Sequence, residues 1–167
     1  MTTVGRVLKL VAIVVVALLL VAGGWLAGRL GIGRVVDPAS LTDAERQFTQ
    51  RMKDVAMVGT FSIDGREGRN RIPDRYEIVS VEKIASDQWR FNAKMNCCGL
   101  AGSVAIPIAV PMRFVGDTPM IMMTDSSLPG IGTFTVRVFF YGDRYAGTWQ
   151  HGRVGGQMSG RIEKRGQ

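Results

Sequence analysis

The chain has few of the residues from which most catalytic and metal sites are built. Its 167 residues include a single histidine and only two cysteines, which are adjacent at Cys97 and Cys98. Neighbouring cysteines cannot cross-link a small disulfide scaffold, and two of them cannot complete a four-ligand zinc site. The length allows one domain of ordinary size with a short additional segment, and it excludes a multidomain enzyme.

The sequence also lacks the common motifs of catalysis. It contains no G-x-S-x-G, H-E-x-x-H, P-loop or dinucleotide fingerprint. No serine, cysteine or carboxylate lies in a context that would make His151 a general base. Met95, Cys97 and Cys98 could bind a soft metal or form a redox-active turn, but we interpret the cysteines as small, partly buried residues. We therefore predict no catalytic residues, no metal and no cofactor.

Charged residues are absent from residues 10–28, a run of nineteen residues rich in valine, leucine, alanine and isoleucine. As a helix this run would extend about 28 Å, close to the thickness of the hydrocarbon core of a bilayer. A basic start, an apolar stretch and the small residues Ala22-Gly23-Gly24 also fit a cleaved signal peptide. The run is longer than a usual signal core, and no A-x-A site precedes Arg29, so we expect a retained transmembrane helix.

Basic residues flank this run on both sides, and Trp25 stands at an interfacial position. Arg6 and Lys9 slightly outweigh Arg29 and Arg34, which predicts a single-pass protein of the cell membrane with its C-terminal domain outside the cytoplasm, in the periplasm. Without Arg6 and Lys9, 19 basic and 14 acidic residues remain, a net charge of +5. This excess suits anionic headgroups or acidic partners better than nucleic acid, although solubility alone explains it equally well.

The predicted organisation has four parts. A tail (1–9) precedes the transmembrane helix (10–28), and a linker (29–40) leads to a β domain (41–167) that begins with a capping helix. Thr42 and Glu45 have the spacing of a capping box. Apolar residues recur at helical intervals, which predicts an amphipathic helix of three to four turns covering the following sheet. These residues are Leu41, Ala44, Phe48, Met52 and Val55.

Beyond residue 56 the apolar period changes to two, which predicts strands. Gly116-Asp117 and Gly142-Asp143 put glycine first in two-residue loops, as type II′ hairpin turns require. The fold class is therefore mainly β, an antiparallel eight-stranded meander forming a small barrel or a strongly curled sheet, calycin-like in either case. The predicted strands are 56–63, 76–84, 88–96, 103–115, 119–125, 132–141, 144–151 and 156–163.

Two features bear on the edges of this sheet. Pro107 and Pro111 share parity in strand 103–115, so both proline nitrogens face the same neighbour. Because proline cannot donate to a ladder, we expect that side of the strand to be unpaired and the barrel to be open there. The loop 64–75 carries four arginines that could bind phosphate, but we interpret it as a mobile, solvated loop.

Aromatic residues indicate where a ligand could lie. Tyr145, Trp149 and His151 share parity within their strand, and the preceding hairpin places them on the same face as the apolar residues of strand 132–141. Together with Trp89 they predict a cavity inside the barrel for a small apolar ligand. The competing interpretation of His151 is a core residue with satisfied hydrogen bonds near the end of its strand.

A second set of residues indicates a surface for a partner. In the hairpin at Gly116-Asp117, the inward positions are filled by other apolar residues, which leaves Met120 and Met122 on the outside with Pro111. Methionines clustered with proline are typical of an adaptable contact patch. The alternative is that the capping helix covers them through Phe48 and Met52.

The C-terminal third has a recognisable pattern, GDRYAGTWQHG…GG…GRIE, over residues 142–163. It resembles a family of uncharacterised bacterial exported or membrane-anchored proteins, and residues 57–61, 64–65 and 116–119 fit the same pattern. The resemblance implies a β domain and no known activity, while Gln157 and the Cys97-Cys98 turn depart from it. Gly147-Thr148-Trp149 is also similar to lipocalin- and avidin-type barrels.

Two functions are compatible with these features. The first is a non-enzymatic accessory subunit that docks its β domain on a larger membrane complex, such as a photosynthetic or respiratory one. Its partners would be other membrane-protein subunits and the bilayer around residues 10–28, with no nucleic acid. The second is a calycin-like protein that binds a small apolar ligand.

Overall fold

The computed structural model describes residues 3–29, 35–65, 72–95, 106–128 and 132–165. The chain forms two compact units, residues 1–34 and 35–167. The first unit contains helix α1 (Thr3–Arg29), whose segment Val11–Gly28 is long and apolar enough to cross a membrane. Its apolar side chains are exposed in the unit itself. The predicted apolar helix is therefore confirmed.

The second unit begins with a short 3₁₀ helix (Pro38–Ser40) and helix α2 (Asp43–Arg51). The predicted capping box is present: the Glu45 N–H donates to Thr42 Oγ1 over 3.3 Å, and the Thr42 N–H donates to Glu45 Oε2 over 2.9 Å. The helix is shorter than predicted: it ends at Arg51, with Met52 as its C-cap. Asp54 then adopts a positive φ of 51°, immediately before the first strand. Val55, which periodicity placed on the helix, begins the first strand instead.

Eight antiparallel strands of the described chain close into a barrel in sequence order, with the last strand paired to the first. The predicted mainly-β meander is thus confirmed in its barrel form, and the alternative of an open curled sheet is excluded. The strands are β1 (Val55–Phe61), β2 (Ile72–Lys83), β3 (Gln88–Met95), β4 (Ile106–Val115), β5 (Thr118–Leu128), β6 (Gly132–Tyr141), β7 (Arg144–His151) and β8 (Val154–Lys164).

Tight hairpins connect several of these strands. Gly116 and Gly142 have φ values of 63° and 56°, whereas the aspartates that follow them do not have positive φ, as expected for type II′ turns. Gly152 has the same conformation, with φ of 58°, in a third two-residue loop between His151 and Val154. This third turn explains why β8 begins two residues before the predicted start at residue 156.

The two prolines of β4 face a weak seam in the barrel. The Met112 N–H donates to the Asp87 carbonyl over 2.8 Å, so it points toward β3. Pro107 and Pro111 have the opposite parity and point their nitrogens toward β5. Among the described residues, β4 is in register with β5 only over 112–115, whereas it is in register with β3 over 106–111. The predicted opening of the barrel at the prolines is wrong, because the barrel is closed. The hydrogen-bonded ladder between β4 and β5, which the prolines face, is nevertheless short.

Helix α2 fills one end of the barrel from the inside. Phe48 is 1% exposed, and its ring centroid lies 5.3–6.5 Å from those of Trp89, Phe91, Phe114 and Phe140. These four rings come from β3, β4 and β6, so one helical side chain joins strands from opposite walls. The helix therefore acts as a plug with its apolar side chains in the core, and does not lie along an outer face of the sheet.

An ion pair fixes the plug to the wall. Lys83 Nζ lies 2.5 Å from Glu45 Oε1, and both side chains are largely buried. Lys83 also lies over the ring of Trp89, 5.8 Å from its centroid. Burial by itself would raise the pKa of Glu45, but hydrogen bonds from Lys83 and from the Thr42 N–H outweigh it and lower the pKa. Glu45 thus caps α2 and holds it against β2 at the same time.

Removing the ring of Phe48 should leave a cavity at the plugged end. We expect Phe48→Ala to lower the free energy of unfolding by about 3–5 kcal/mol, the usual cost of deleting a buried phenylalanine ring. Urea unfolding of the full chain in phospholipid nanodiscs, followed by near-UV circular dichroism, measures this change.

The matched control is Gln47→Ala, an exposed neighbour in the same helix, which should change the free energy of unfolding by less than about 0.5 kcal/mol. Equal effects of the two substitutions would show that α2 does not fill the barrel.

Candidate functional site

The barrel interior is buried at the α2 end and partly exposed at the other. Along β6 the inward residues pass from buried Val138 to partly exposed Val136 and Phe134. Along β2 they pass from buried Ile78 to partly exposed Tyr76 and to residues 72 and 74. We call the interior lined by these partly exposed residues, with Phe61 and Trp149, the accessible half.

A row of residues crosses the interior at the floor of the accessible half. Asp74 is opposite Gly59, Gly59 is opposite Gly160, and Gly160 is opposite Tyr145 in consecutive pairs of strands. The two glycines leave room for the tyrosine ring: a Cβ on Gly59 would lie 2.5 Å from the Tyr145 hydroxyl, and a Cβ on Gly160 would lie 2.7 Å from Tyr145 Cε1. The ring therefore extends across two strands toward Asp74.

The hydroxyl of Tyr145 is buried without a hydrogen-bond partner among the described residues. The residue is 2% exposed, and buried hydroxyl groups normally have a partner. Burial first, and the nearby negative charge of Asp74 second, raise the pKa of Tyr145 to about 12. The group therefore stays protonated and available both to donate and to accept a hydrogen bond.

Asp74 is the polar group on the opposite side of this row. Burial raises the pKa of its carboxyl above the ordinary value, and hydrogen bonds from the Tyr76 side chain and the Arg75 backbone offset only part of the effect. Sequence reasoning missed Asp74 because it fell in the predicted loop 64–75, and it put Tyr76 at the start of strand 76–84 without assigning it to a site. The signal was present, since residues 72, 74, 76 and 78 alternate in the apolar parity of β2.

Trp149 lines the wall above the floor. Its ring lies edge-on to Phe61 with 5.9 Å between centroids. Its indole Nε1 is also buried without a hydrogen-bond partner among the described residues, close to the backbone of Gly156. A second unsatisfied donor thus lies in the same half of the barrel as Tyr145.

The four residues predicted to line one cavity are not brought together. Trp89 is packed against Phe48 in the filled end, while Tyr145 and Trp149 line the accessible half. His151 is exposed at the far end of β7, where its ring lies 4.4 Å from that of Phe134, so it is not a core residue. Two surface grooves, of about 620 and 380 Å³, lie at other places on the described surface. None of the four residues lines either groove.

The predicted contact residues lie on the outside of the barrel. Met120 pairs with Phe139 across β5 and β6, and Met122 is 41% exposed. Sequence reasoning missed Phe139 and Tyr141, which both lie on β6 and are 43% and 70% exposed. We call Met120, Met122, Phe139 and Tyr141 the outer patch. Pro111 is half-buried on β4, in the segment without a β5 partner.

The alternative in which α2 covers the outer patch is wrong. Phe48 and Met52 belong to the interior core cluster, so neither is available to cover an outer face. Cys97, Cys98 and most of the arginines in 64–75 lie outside the described residues. Within the described residues, no group of three or more histidine, cysteine, aspartate or glutamate side chains could hold a metal ion.

No protein-family model, no curated protein sequence and no solved structure matches the chain. The resemblance to exported or membrane-anchored β-domain proteins therefore remains a prediction from the pattern of residues 142–163. The arguments about the site rest on the geometry of this barrel alone.

The unpartnered hydroxyl of Tyr145 should cost stability in the ligand-free protein. An unsatisfied buried polar group destabilises a fold by about 1–3 kcal/mol. We therefore expect Tyr145→Phe to raise the free energy of unfolding by about 1 kcal/mol in urea unfolding of the full chain.

Tyr141→Phe, at an exposed position, is the control and should change the free energy of unfolding by less than about 0.5 kcal/mol. A loss of more than about 1 kcal/mol for Tyr145→Phe would show that the hydroxyl has a partner in the folded protein.

Proposed function

We propose that the protein is a non-enzymatic, calycin-like binding protein that holds a small, mainly apolar ligand in the accessible half of its barrel. The observation that carries this proposal is the asymmetry of the interior, buried around α2 and partly exposed around Trp149. An eight-stranded barrel is just wide enough either to be filled by side chains or to hold one small ligand. Here α2 and its aromatic contacts fill one half, which leaves the other for a ligand.

The composition of the accessible half supports an apolar ligand. Its described inward residues are mostly aromatic or aliphatic, with a few polar groups near the floor. Binding sites for small molecules commonly combine an apolar lining with a small number of placed polar groups. The site therefore suits a molecule with an apolar body.

We also propose that α1 anchors this barrel in the cell membrane, with the barrel outside the cytoplasm. The length and composition of Val11–Gly28 support a membrane span, and the basic residues at the amino end support this orientation.

Ligand entry can be tested with naphthalene as an apolar probe. The three tryptophans give three indole N–H signals in ¹⁵N NMR spectra of the full chain in nanodiscs. We expect saturable shifts of the Trp149 signal with little change at Trp89, because Trp149 lines the accessible half and Trp89 is in the filled end. Val136→Phe should weaken this binding at least about 10-fold, since Val136 pairs directly with Trp149 and added volume would occupy the site.

Thr148→Phe adds the same ring at an exposed, outward position of β7 and should leave the naphthalene affinity unchanged. Thermal unfolding of both variants establishes that they are folded. If naphthalene leaves the Trp149 signal unmoved, or if both substitutions have the same effect, the barrel is not a binding protein of this kind.

A second candidate function, an accessory subunit docked on a larger membrane complex, is supported by the outer patch. Phe139 and Tyr141 extend the exposed apolar surface that Met120 and Met122 begin. Clustered exposed apolar residues on a folded domain are typical of contact surfaces. This function and ligand binding use different faces of the barrel, so the two are compatible.

Charges on the outer patch should separate the two functions. We expect the double substitution Met120→Glu and Met122→Glu to keep the melting temperature and to release the protein from its complex, seen as a smaller particle on native gels of gently solubilised membranes. Naphthalene binding should not change.

The control pair, Gln157→Glu and Ser159→Glu, lies at exposed positions of β8 and should leave the particle size as it is. An unchanged particle size for the methionine variant at full stability would eliminate the outer patch as a docking surface.

A further inference from the structure

We infer that the barrel selects a ligand whose head group is uncharged and can both accept and donate a hydrogen bond, such as a hydroxyl or an amide, and that it discriminates against carboxylates. This inference rests on the proposed ligand binding and specifies the chemistry of that site. The head group would lie on the floor of the accessible half, between the Tyr145 hydroxyl and the Asp74 carboxyl.

The first argument is the unsatisfied hydroxyl of Tyr145. It lies over Gly59, which is directly opposite Asp74 on the neighbouring strand, yet it makes no hydrogen bond to that carboxyl or to any other described group. A polar ligand atom next to the hydroxyl would satisfy it and would lie beside the Asp74 carboxyl, which already accepts hydrogen bonds from the Tyr76 side chain and the Arg75 backbone. The glycines at positions 59 and 160 make room for the Tyr145 ring, because a Cβ at either would collide with it or with backbone, and the ring can therefore bring its hydroxyl to the side of Asp74.

The second argument concerns charge. Among the described residues, the inward positions of the accessible half carry no lysine or arginine, and Asp74 is the acidic group there. Arg75 and Arg137 are next in sequence to the inward residues Asp74 and Val136. Both arginines have the parity of the outer face of the barrel. A carboxylate ligand would therefore be desolvated without a cation to pair with, close to another carboxyl. An uncharged amide or hydroxyl avoids this cost.

The third argument is the indole of Trp149. Its N–H can only donate, and it is buried without a partner along the wall of the same half. A ligand with a further oxygen acceptor along its body would satisfy this donor as well. The described polar groups of the accessible half thus favour neutral oxygen-containing molecules over pure hydrocarbons.

Three probes of the same ring system test the inference: naphthalene, 2-naphthamide and 2-naphthoate. Each is titrated at pH 7 into the full chain in nanodiscs, with the Trp149 indole signal as the readout. We expect 2-naphthamide to bind about 3- to 10-fold more tightly than naphthalene, the effect of one or two neutral hydrogen bonds. The isosteric 2-naphthoate should bind at least about 10-fold more weakly than 2-naphthamide.

Two variants identify the groups responsible. Tyr145→Phe should bring the affinity for 2-naphthamide to within about 2-fold of the affinity of the same variant for naphthalene. Asp74→Asn should reduce the difference in affinity between 2-naphthoate and 2-naphthamide, because it replaces the carboxyl by an uncharged group of the same shape.

The possible failures are distinguishable. If 2-naphthoate binds as tightly as 2-naphthamide, or if Tyr145→Phe leaves the advantage of the amide intact, the neutral head-group site is refuted while ligand binding stands. If none of the three probes moves the Trp149 signal, the proposed function itself fails.

Discussion

The burial of Phe48 inside the barrel is the interaction on which the rest of the account depends. An eight-stranded barrel has room in its interior for side chains or for one small ligand, but not for both throughout its length. By placing one aromatic side chain among four rings from three strands, α2 completes a core at its own end. The ion pair of Glu45 with Lys83 holds the helix in this position. The described apolar residues of the other end are only partly buried.

The accessible half departs from the rules that govern a stable core. Among the described residues, Tyr145 has a buried hydroxyl and Trp149 a buried N–H without partners, and a raised pKa at Asp74 marks a carboxyl that burial has partly desolvated. The two unpartnered groups, on Tyr145 and Trp149, lower stability, and a polar ligand atom would satisfy either one. Local violations of otherwise consistent packing are common at functional sites. The filled end has a capped helix, a paired lysine and close aromatic contacts. It departs from the same rules at one atom, since Arg51 Nε on α2 is buried without a partner among the described residues.

Much of the fold is readable from the sequence because its signals are local. The alternation of apolar residues, the glycine at the first position of two hairpin turns and the capping box of Thr42 and Glu45 each depend on neighbours within a few residues. The position of α2 is not local: periodicity shows that Phe48 needs a surface to cover, but not whether that surface is a sheet face or a barrel interior. Closure of the barrel likewise depends on pairing between β1 and β8, which are far apart in the chain.

The candidate site was only half readable for the same reason. Tyr145 and Trp149 were identifiable because a short hairpin fixes their face relative to β6. Asp74 was missed because its polar neighbours in sequence suggested a loop, and its relation to Tyr145 exists only through two intervening strands. Sequence reasoning identified Met120 and Met122 of the outer patch but not Phe139. Phe139 lies between the apolar inward residues Val138 and Phe140, so the sequence pattern did not mark it as exposed.

A crystal structure of the full chain grown with 2-naphthamide tests the central claim most directly. The account predicts electron density for the rings between Trp149 and Phe134, with the amide within hydrogen-bonding distance of the Tyr145 hydroxyl and with Phe48 still seated among its four aromatic neighbours. A structure in which the side chains of the accessible half close on one another, with no density for the probe between them, would contradict it.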